Sequence, residues 1–338
     1  MFSGTVSSSA GLRALSKKYG AAALILVLNA TAAVYLIGTL IYGIAGLFPD
    51  GAALSDISTD MGYLVFMIYN EVAAYAVPLL SFLLIFRREL KESSDPGNFL
   101  PSNSYKYVFG SSVLLFLTGW LLATGGGMLT EFLSDFFHTL AGTPEVKTAF
   151  SGSMPQNAFR YTVFEVCTCL IAPICEELLY RHILLKPLQK YSDTAAVIVT
   201  ALLFSLSHFN FDQFLYTLAF GIFLAVIAAR SGSVILPTVF HIFNNMLAGI
   251  GTYLPETFGD EAVDAFFASV KSINGTFSAV MLFAGFAAAA ASVLMGLLRL
   301  HNNCNIPVNK QLGTIFSTPA VIISAVLCLA LTVFKLYL

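Results

Sequence analysis

Three short stretches of the sequence place ionisable or amide side chains inside long apolar runs. The side chains are those of Glu176, Glu177, Arg181, His208, His241 and Asn245. An ionisable group in the hydrocarbon of a membrane costs several kcal/mol unless it faces a partner or a water-filled cavity. A carboxylate, two imidazoles and a carboxamide are groups that can activate a water molecule and stabilise an oxyanion. These residue types therefore indicate hydrolytic chemistry at a polar site.

Helical spacing predicts different surroundings for the two adjacent glutamates of the first stretch, Glu176 and Glu177. Glu177 and Arg181 are four residues apart, so they share a helix face and stand in the favourable order for an ion pair. Successive side chains on a helix diverge by about 100°, so Glu176 points elsewhere and needs another partner. The ion pair also has a purely structural interpretation, because a paired buried charge is what a membrane protein tolerates.

The other two stretches show the same four-residue spacing. His241 and Asn245 share a helix face, so an imidazole and a carboxamide point to the same place. Phe204 and His208 also share a face, and the Phe204 ring would form an apolar wall beside the imidazole. A single histidine in an apolar helix is often a hydrogen-bonded core residue. Two of them, together with Glu176 and Asn245, favour a shared site instead.

Two further glutamates lie inside apolar runs. Glu165 precedes Glu176 by eleven residues, or three helical turns, so we expect it to line the same cavity. Glu71 occurs in an earlier apolar run, and the sequence identifies no partner for it.

The composition places the chain in a membrane. It has 338 residues, of which 57% are hydrophobic and only 11% charged, and its mean hydropathy is +0.80. Soluble domains carry roughly 25% charged residues, so a soluble single-core domain is excluded. The net charge of -2 leaves no basic field for a nucleic acid, and none is expected as a partner. The five cysteines form no disulfide or zinc pattern.

Nine apolar runs approach the length of about 20 residues that a membrane-spanning helix needs. They are 21–48, 61–86, 107–133, 158–186, 193–210, 212–230, 233–254, 274–298 and 315–337. The sequence thus predicts an all-α polytopic transmembrane bundle of eight or nine spans. The fourth run is expected to continue as one long bent helix to Lys190, which would bring Glu176 towards mid-depth.

Loop charges predict the orientation, because Lys and Arg gather on the cytoplasmic side. With the N-terminus inside, twelve Lys and Arg residues fall in inner segments and four in outer ones. We therefore predict a cytoplasmic N-terminus. A signal peptide is the competing interpretation of Lys17 and Lys18 before the first run, but that run exceeds the roughly 7–15 residues of a signal core. A retained anchor is favoured.

The loop 87–106, with its charges, serines and prolines, is the clearest linker. We expect three regions. Residues 1–106 form N-terminal transmembrane helices and a cytoplasmic linker, 107–254 the catalytic core, and 255–338 C-terminal transmembrane helices.

The three stretches match a family pattern when read in order. Residues 176–181 read E-E-x-x-x-R, residues 204–208 read F-x-x-x-H, and residues 241–245 read H-x-x-x-N. On successive apolar helices, this order resembles the CPBP family of intramembrane proteases, also called the CAAX protease and bacteriocin-processing, or Abi, family. The resemblance covers roughly 155–250.

The resemblance implies a role for each motif residue. Glu176 would act with His208 to polarise a water molecule for attack on the scissile carbonyl. His241 and Asn245 would form the oxyanion hole. In the same family pattern, Glu177 and Arg181 would form a pair that orders the site. This agrees with the ion pair that their spacing predicts.

Metal dependence stays open at this point. The family is commonly described as metalloproteases, whereas its eukaryotic CAAX-processing relatives look like glutamate-dependent enzymes without a metal. Glu176, His208 and His241 could hold a divalent ion such as zinc as a two-histidine, one-carboxylate set. The chain has no H-E-x-x-H motif that would make zinc the default.

The resemblance implies an endopeptidase, a hydrolase embedded as a multi-pass protein in the cell membrane if the source is prokaryotic. Its substrate would be a peptide or lipidated protein at the bilayer, such as a prenylated C-terminal tail or a bacteriocin leader. A transporter is an alternative, because intramembrane charges also mark ion paths. A non-catalytic immunity or binding protein is another. A transporter predicts polar positions in two repeated halves, but here they occupy one segment.

Overall fold

The computed structural model describes residues 8–47, 56–93, 105–141, 157–209, 211–258 and 274–337. Regular structure in these ranges is helical, apart from one isolated bridge between Ser192 and Asn302. The α-helices are α1 (Ser9–Leu28), α2 (Val34–Ala45), α3 (Asp60–Ile85), α4 (Arg87–Ser93), α5 (Tyr105–Ala141), α6 (Ala158–Glu165), α7 (Ala172–Glu177), α8 (Lys186–Gln189), α9 (Asp193–Leu206), α10 (Phe211–Ser231), α11 (Ile235–Phe258), α12 (Asn274–Leu294), α13 (Val308–Phe316) and α14 (Pro319–Tyr337). The π-helical segments are π1 (Asn29–Ala33), π2 (Val166–Ile171) and π3 (Leu178–Leu185). The predicted all-α class is confirmed.

The linker predicted at 87–106 falls only partly within these ranges. Its first residues form the short helix α4, and residues 94–104 lie outside the described part of the chain.

Polar side chains cap the first turn of several of these helices. Ser8 accepts from the N–H of Gly11, Thr59 from Gly62, Asn157 from Arg160 and Ser192 from Ala195. Each cap satisfies a backbone donor that has no partner inside the helix. The chain therefore specifies locally where α1, α3, α6 and α9 begin.

The described part of the chain has fewer spanning helices than the sequence predicts. Three helical stretches are long and apolar enough to cross a membrane, namely Asp60–Ile85, Gly110–Gly127 and Gln213–Ser231. A fourth is added if α13 and α14, which meet at 70°, count as one bent span. The described residues therefore do not support the predicted count of eight or nine spans. Two further apolar helical stretches, Asp193–Leu206 and Val280–Leu294, are shorter than the length of about 20 residues that a span needs.

One continuous helical run carries the first motif. It passes through α6, π2, α7, π3 and α8, and Lys190 is its C-cap. The long helix to Lys190 expected from the sequence is therefore present. The π segments widen it locally, as is common at functional sites. Glu176 and Glu177 end α7 at the boundary with π3, well inside the run.

Glycines allow α5 to approach its neighbours closely. A Cβ at Gly119 would lie 2.6 Å from the Cβ of Phe223 on α10, and Gly125 lies similarly against Leu282 on α12. Small residues at helix interfaces are the usual means of close packing in membranes. The α5–α10 pair therefore forms a tight wall beside the motif helices.

Two polar connections attach α3 and α4 to the helical run. At the N-terminal ends of α3 and α6, the Arg160 Nε donates to Asp60 Oδ1 at 2.8 Å, and another guanidinium nitrogen donates to the Ser58 carbonyl. The Asn157 amide donates to the same Asp60 oxygen at 3.0 Å, and the guanidinium lies 5.3 Å from the ring centre of Tyr63. We call this set the Asp60–Arg160 clasp.

The second connection lies at the opposite end of α3, on α4. Glu92 accepts from Arg88 Nε at 2.9 Å and from Lys190 Nζ at 3.0 Å. Hydrogen bonds from Arg88, and then from Lys190, hold the pKa of Glu92 below its usual value. The helical run is thus joined to α3 and α4 near both of its ends.

The packing predicts opposite effects for two glycine substitutions in α5. Gly119→Ala should lower the melting temperature in detergent, because the new methyl group overlaps Phe223 and overpacking costs about 1–3 kcal/mol. Gly110→Ala is the control, since Gly110 is exposed and a methyl group added there would meet no atom within 4 Å. It should be neutral or slightly stabilising, because alanine favours helix by up to about 1 kcal/mol. Equal shifts for both variants would contradict the close packing at Gly119.

Candidate active site

Glu177 is the centre of a buried charge network. Its side chain is 0% exposed, and its Oε2 lies 3.2 Å from the Nε of Arg181, which is equally buried. Its Oε1 accepts from Nδ1 of His241 at 2.9 Å. The ion pair expected from spacing is therefore present, and the structure adds an imidazole from α11 to it.

The Arg181 guanidinium is held from two further directions. One nitrogen donates to the Gly221 carbonyl of α10 at 3.3 Å, and the guanidinium carbon lies 4.7 Å from the ring centre of Phe204. Cation–π contacts of this kind stabilise a desolvated arginine. Phe204 is 1% exposed, so it serves as the apolar wall that the sequence predicts, and it contacts more of the site than His208 alone.

His241 is fixed in one orientation by its neighbours. A carboxylate oxygen only accepts, so the Nδ1 that faces Glu177 carries the proton. The other nitrogen, Nε2, lies 3.6 Å from Oε2 of Glu176. The rings of Phe204 and Phe220 stand edge-on to the imidazole, with centroids 5.8 and 5.5 Å away. The network thus directs Nε2 towards the second glutamate.

Glu176 is more accessible than its neighbour. Its side chain is 15% exposed. Oε1 accepts from the hydroxyl of Tyr75 at 2.7 Å, while Oε2 faces His241. Glu177 and Glu176 therefore differ in environment. Their different helical phase turns Glu177 into the charge network and leaves Glu176 partly exposed.

His208 lies in the turn that joins α9 and α10, and not within a span as the predicted run 193–210 implies. The helix ends at Leu206 because the Phe204 carbonyl accepts from Ser207 Oγ and from His208 Nδ1, both at 2.8 Å. Side-chain donors of this kind compete with helix continuation. Phe209 then turns the chain with a φ of 48°.

The same bond defines the tautomer of His208. A carbonyl oxygen only accepts, so Nδ1 carries the proton and Nε2 of the neutral ring has a free lone pair. His208 is close enough to Glu176 and His241 to interact with both electrostatically. The rings of His208 and His241 both stand edge-on to Phe204, with centroids 4.9 and 5.8 Å from its ring centre.

Asn245 is anchored to the helical run. Its amide nitrogen donates to the Thr168 carbonyl of π2 at 3.0 Å, and its oxygen accepts from Asn244 at 3.1 Å. An amide nitrogen has two N–H bonds, so one remains available for a ligand. The Asn244 amide also donates to the hydroxyl of Tyr216 on α10.

Several polar residues of the site escaped the sequence reasoning. They are Tyr75, Asn244, Tyr216, Tyr180 and Ser207, the last two joined by a 2.6 Å hydrogen bond. Tyr75 follows Glu71 by four residues on α3, so a shared face was a readable signal. Tyrosine is too common at membrane helices for that signal to have identified the contact.

The two further glutamates found in apolar runs, Glu165 and Glu71, have different neighbours. The Cys169 thiol donates to Glu165 Oε2 at 3.0 Å, and the other oxygen lies against Gly249 of α11. The π2 segment changes the helical phase, so eleven residues no longer make three turns before Glu176. Glu71 lies within electrostatic range of Glu176, and its buried Oε2 has no hydrogen-bond partner among the described residues.

The residues do not fit a metal site in this arrangement. Among the described residues, no three His, Cys, Asp or Glu side chains are grouped closely enough to hold an ion. The trio considered for zinc, Glu176, His208 and His241, is included in that statement.

The buried network predicts a large stability effect for Arg181→Met. Removing one partner of a buried ion pair costs about 3–5 kcal/mol, because the other charge is left uncompensated. The free energy of unfolding in mixed micelles measures this. Arg88→Met is the control, since the Arg88–Glu92 pair is 81% and 50% exposed and should contribute less than about 1 kcal/mol. The double variant Glu177→Gln/Arg181→Met should recover part of the loss, and a fully stable Arg181→Met would contradict the network.

Comparison with known proteins bears on the segment that holds the three motifs. Residues 158–247 match the family model described as type II CAAX prenyl endopeptidase, Rce1-like. The match spans about a quarter of the chain and contains Glu176, His208, His241 and Asn245. No curated protein and no solved structure matches the chain. The resemblance to the CAAX protease family found in the motifs is confirmed by this match over residues 158–247.

Proposed function

We propose that this protein is an intramembrane endopeptidase that hydrolyses a peptide bond with a water molecule activated by Glu176 and His208. The Rce1-like match supports a CAAX-type membrane protease in general terms. The observation that carries the proposal is the approach of Glu176 Oε2 to Nε2 of His241, 3.6 Å apart, inside that domain. This approach supports a site in which a carboxylate and an imidazole face one accessible spot.

The activation step uses two free acceptors. Glu176 Oε2 takes a proton from the water, while the lone pair on Nε2 of His208 holds the same water in line. The water oxygen forms a bond to the substrate carbonyl carbon, and the carbonyl electrons move to its oxygen as an oxyanion. Collapse of this intermediate breaks the C–N bond, and the proton held by Glu176 passes to the leaving amine. General acid–base catalysis of this kind contributes about 10²- to 10⁴-fold in rate.

The oxyanion is stabilised by groups from α11. Asn245 offers the N–H that is not used by Thr168. His241 donates from Nε2 when that nitrogen carries a proton, and Glu177 compensates the resulting positive charge through Nδ1. Arg181 keeps Glu177 in place. In this proposal the charge network orders the donors and does not react itself.

The substrate is proposed to be a membrane-associated peptide, either a prenylated C-terminal tail or a leader peptide. The proposal assigns the chain to a multi-pass membrane protein with a cytoplasmic N-terminus, supported by the bias of Lys and Arg and by the spanning helices. The catalytic core is proposed to be 107–254, supported by the packing of α5 against α10 and by the matched segment.

Removal of either water-activating group should abolish cleavage. We expect Glu176→Ala and His208→Ala to lose about 10²-fold or more in kcat, because each removes a proton acceptor from the reaction. The assay uses detergent-purified protein and a peptide library that includes farnesylated tails, with and without a metal chelator. Glu92→Gln, an exposed glutamate of α4, is the matched control and should cleave as wild type does. Retained cleavage by either alanine variant would remove the assignment.

Asn245→Ala tests the oxyanion hole. Loss of one such donor costs about 100- to 1000-fold in kcat, and the KM for the peptide should change little. Asn309→Ala, an exposed asparagine of α13, serves as the control. A rise in KM at constant kcat would assign Asn245 to substrate binding instead.

A further inference from the structure

The Glu176 carboxylate receives a hydrogen bond from outside the matched domain. The donor is the hydroxyl of Tyr75, 2.7 Å from Oε1. Tyr75 belongs to α3, which precedes residues 158–247 by more than seventy residues. Nothing in the three motifs includes this residue.

The bond restrains a torsion that is otherwise loose. The terminal torsion of a glutamate is broad and roughly two-fold, so an unrestrained carboxylate samples many orientations. Tyr75 occupies Oε1 and thereby leaves Oε2 as the oxygen that faces His241 at 3.6 Å. The two oxygens of Glu176 thus have separate partners on separate helices.

The position of Tyr75 along α3 follows from the Asp60–Arg160 clasp. Tyr75 comes fifteen residues after Asp60, and Glu176 comes sixteen residues after Arg160. At about 1.5 Å of rise per residue, helices that are joined at their N-terminal ends reach the same level at these two positions. The extra residue on the second helix is accommodated by the tighter rise of π2. Arg160 is 6% exposed, whereas the Asp60 side chain is 52% exposed, so the clasp is packed on its arginine side and open to solvent at its carboxylate.

Other titratable groups on the surrounding elements lie within electrostatic range of Glu176. They are Glu71 from α3, Tyr180 from π3, His208 from the turn after α9, Tyr216 from α10 and His241 from α11. Of the hydrogen bonds described for Glu176, the one from Tyr75 is a direct contact at normal length. It is therefore the contact with most influence on the carboxylate plane.

We propose that Tyr75 is a positioning residue of the hydrolytic site: its hydroxyl holds the Glu176 carboxylate so that Oε2 is presented to the water and to His241. The inference rests on the proposed function, since it assigns Tyr75 to the same reaction. It makes α3 a part of the site that the family match does not cover. Tyr75 itself neither contacts the reacting atoms nor exchanges a proton with them.

The test is Tyr75→Phe in the full-length, detergent-purified protein with a farnesylated peptide that wild type cleaves. We expect kcat to fall by about 10- to 100-fold, because small misplacements of a catalytic group have effects of this size. KM and the melting temperature should stay near their wild-type values, since the ring that packs is retained. Tyr69→Phe is the matched control on α3. Its ring packs near Tyr42 of α2, and its kcat should not change.

A second comparison separates positioning from general packing. In a Glu176→Asp background the shorter side chain withdraws from Tyr75, so adding Tyr75→Phe should cause no further loss in residual kcat. A merely structural role would give the same fold loss in both backgrounds, because independent effects on rate multiply.

The outcomes separate the two hypotheses. Unchanged kcat in Tyr75→Phe, or a rise in KM alone, overturns the role of Tyr75 while wild-type cleavage upholds the function. An equal fall in kcat for Tyr69→Phe also overturns it, since the loss would then not depend on the contact between Tyr75 and Glu176. Absence of cleavage by wild type, with every peptide of the library, overturns the proposed function and this inference with it.

Discussion

The structure depends on the neutralisation of one buried carboxylate. Glu177 is removed from solvent and must be compensated, and it receives Arg181 from its own helical run and His241 from α11. Leaving such a charge unpaired would cost several kcal/mol. The compensation therefore joins two helices at a defined rotation, and the tautomer and direction of His241 follow from it. The imidazole also contacts the rings of Phe204 and Phe220 and approaches Glu176.

Adjacent glutamates can have opposite roles because a helix turns by about 100° per residue. Glu177 is fully buried in the charge network, while Glu176 keeps 15% of its side chain exposed. The boundary between α7 and π3 lies immediately after this pair. A locally widened helix in a continuous run allows both carboxylates to find partners on different neighbours. The first motif thus combines a structural anchor with the carboxylate proposed to react.

The site draws on more of the chain than its motifs. The matched segment supplies the two motif histidines, Glu176 and Asn245. Helix α3 supplies a hydrogen bond to Glu176 and a further glutamate, the half-buried Glu71. The clasp at the N-terminal ends of α3 and α6 and the Glu92 contacts near Lys190 attach α3 and α4 to the helical run. The helices before the motifs therefore contribute geometry to the site as well as a place in the bilayer.

The sequence by itself determined the features that arise within one helix. Four-residue spacing predicted the Glu177–Arg181 pair and the Phe204 wall, and apolar runs predicted an all-α chain, because both depend on local periodicity. Tertiary structure alone decided the contact of Tyr75 with Glu176 and the partner of His241. Contacts between helices depend on how each rotates and packs against its neighbours, and a separation of 101 residues between Tyr75 and Glu176 leaves no periodic signal.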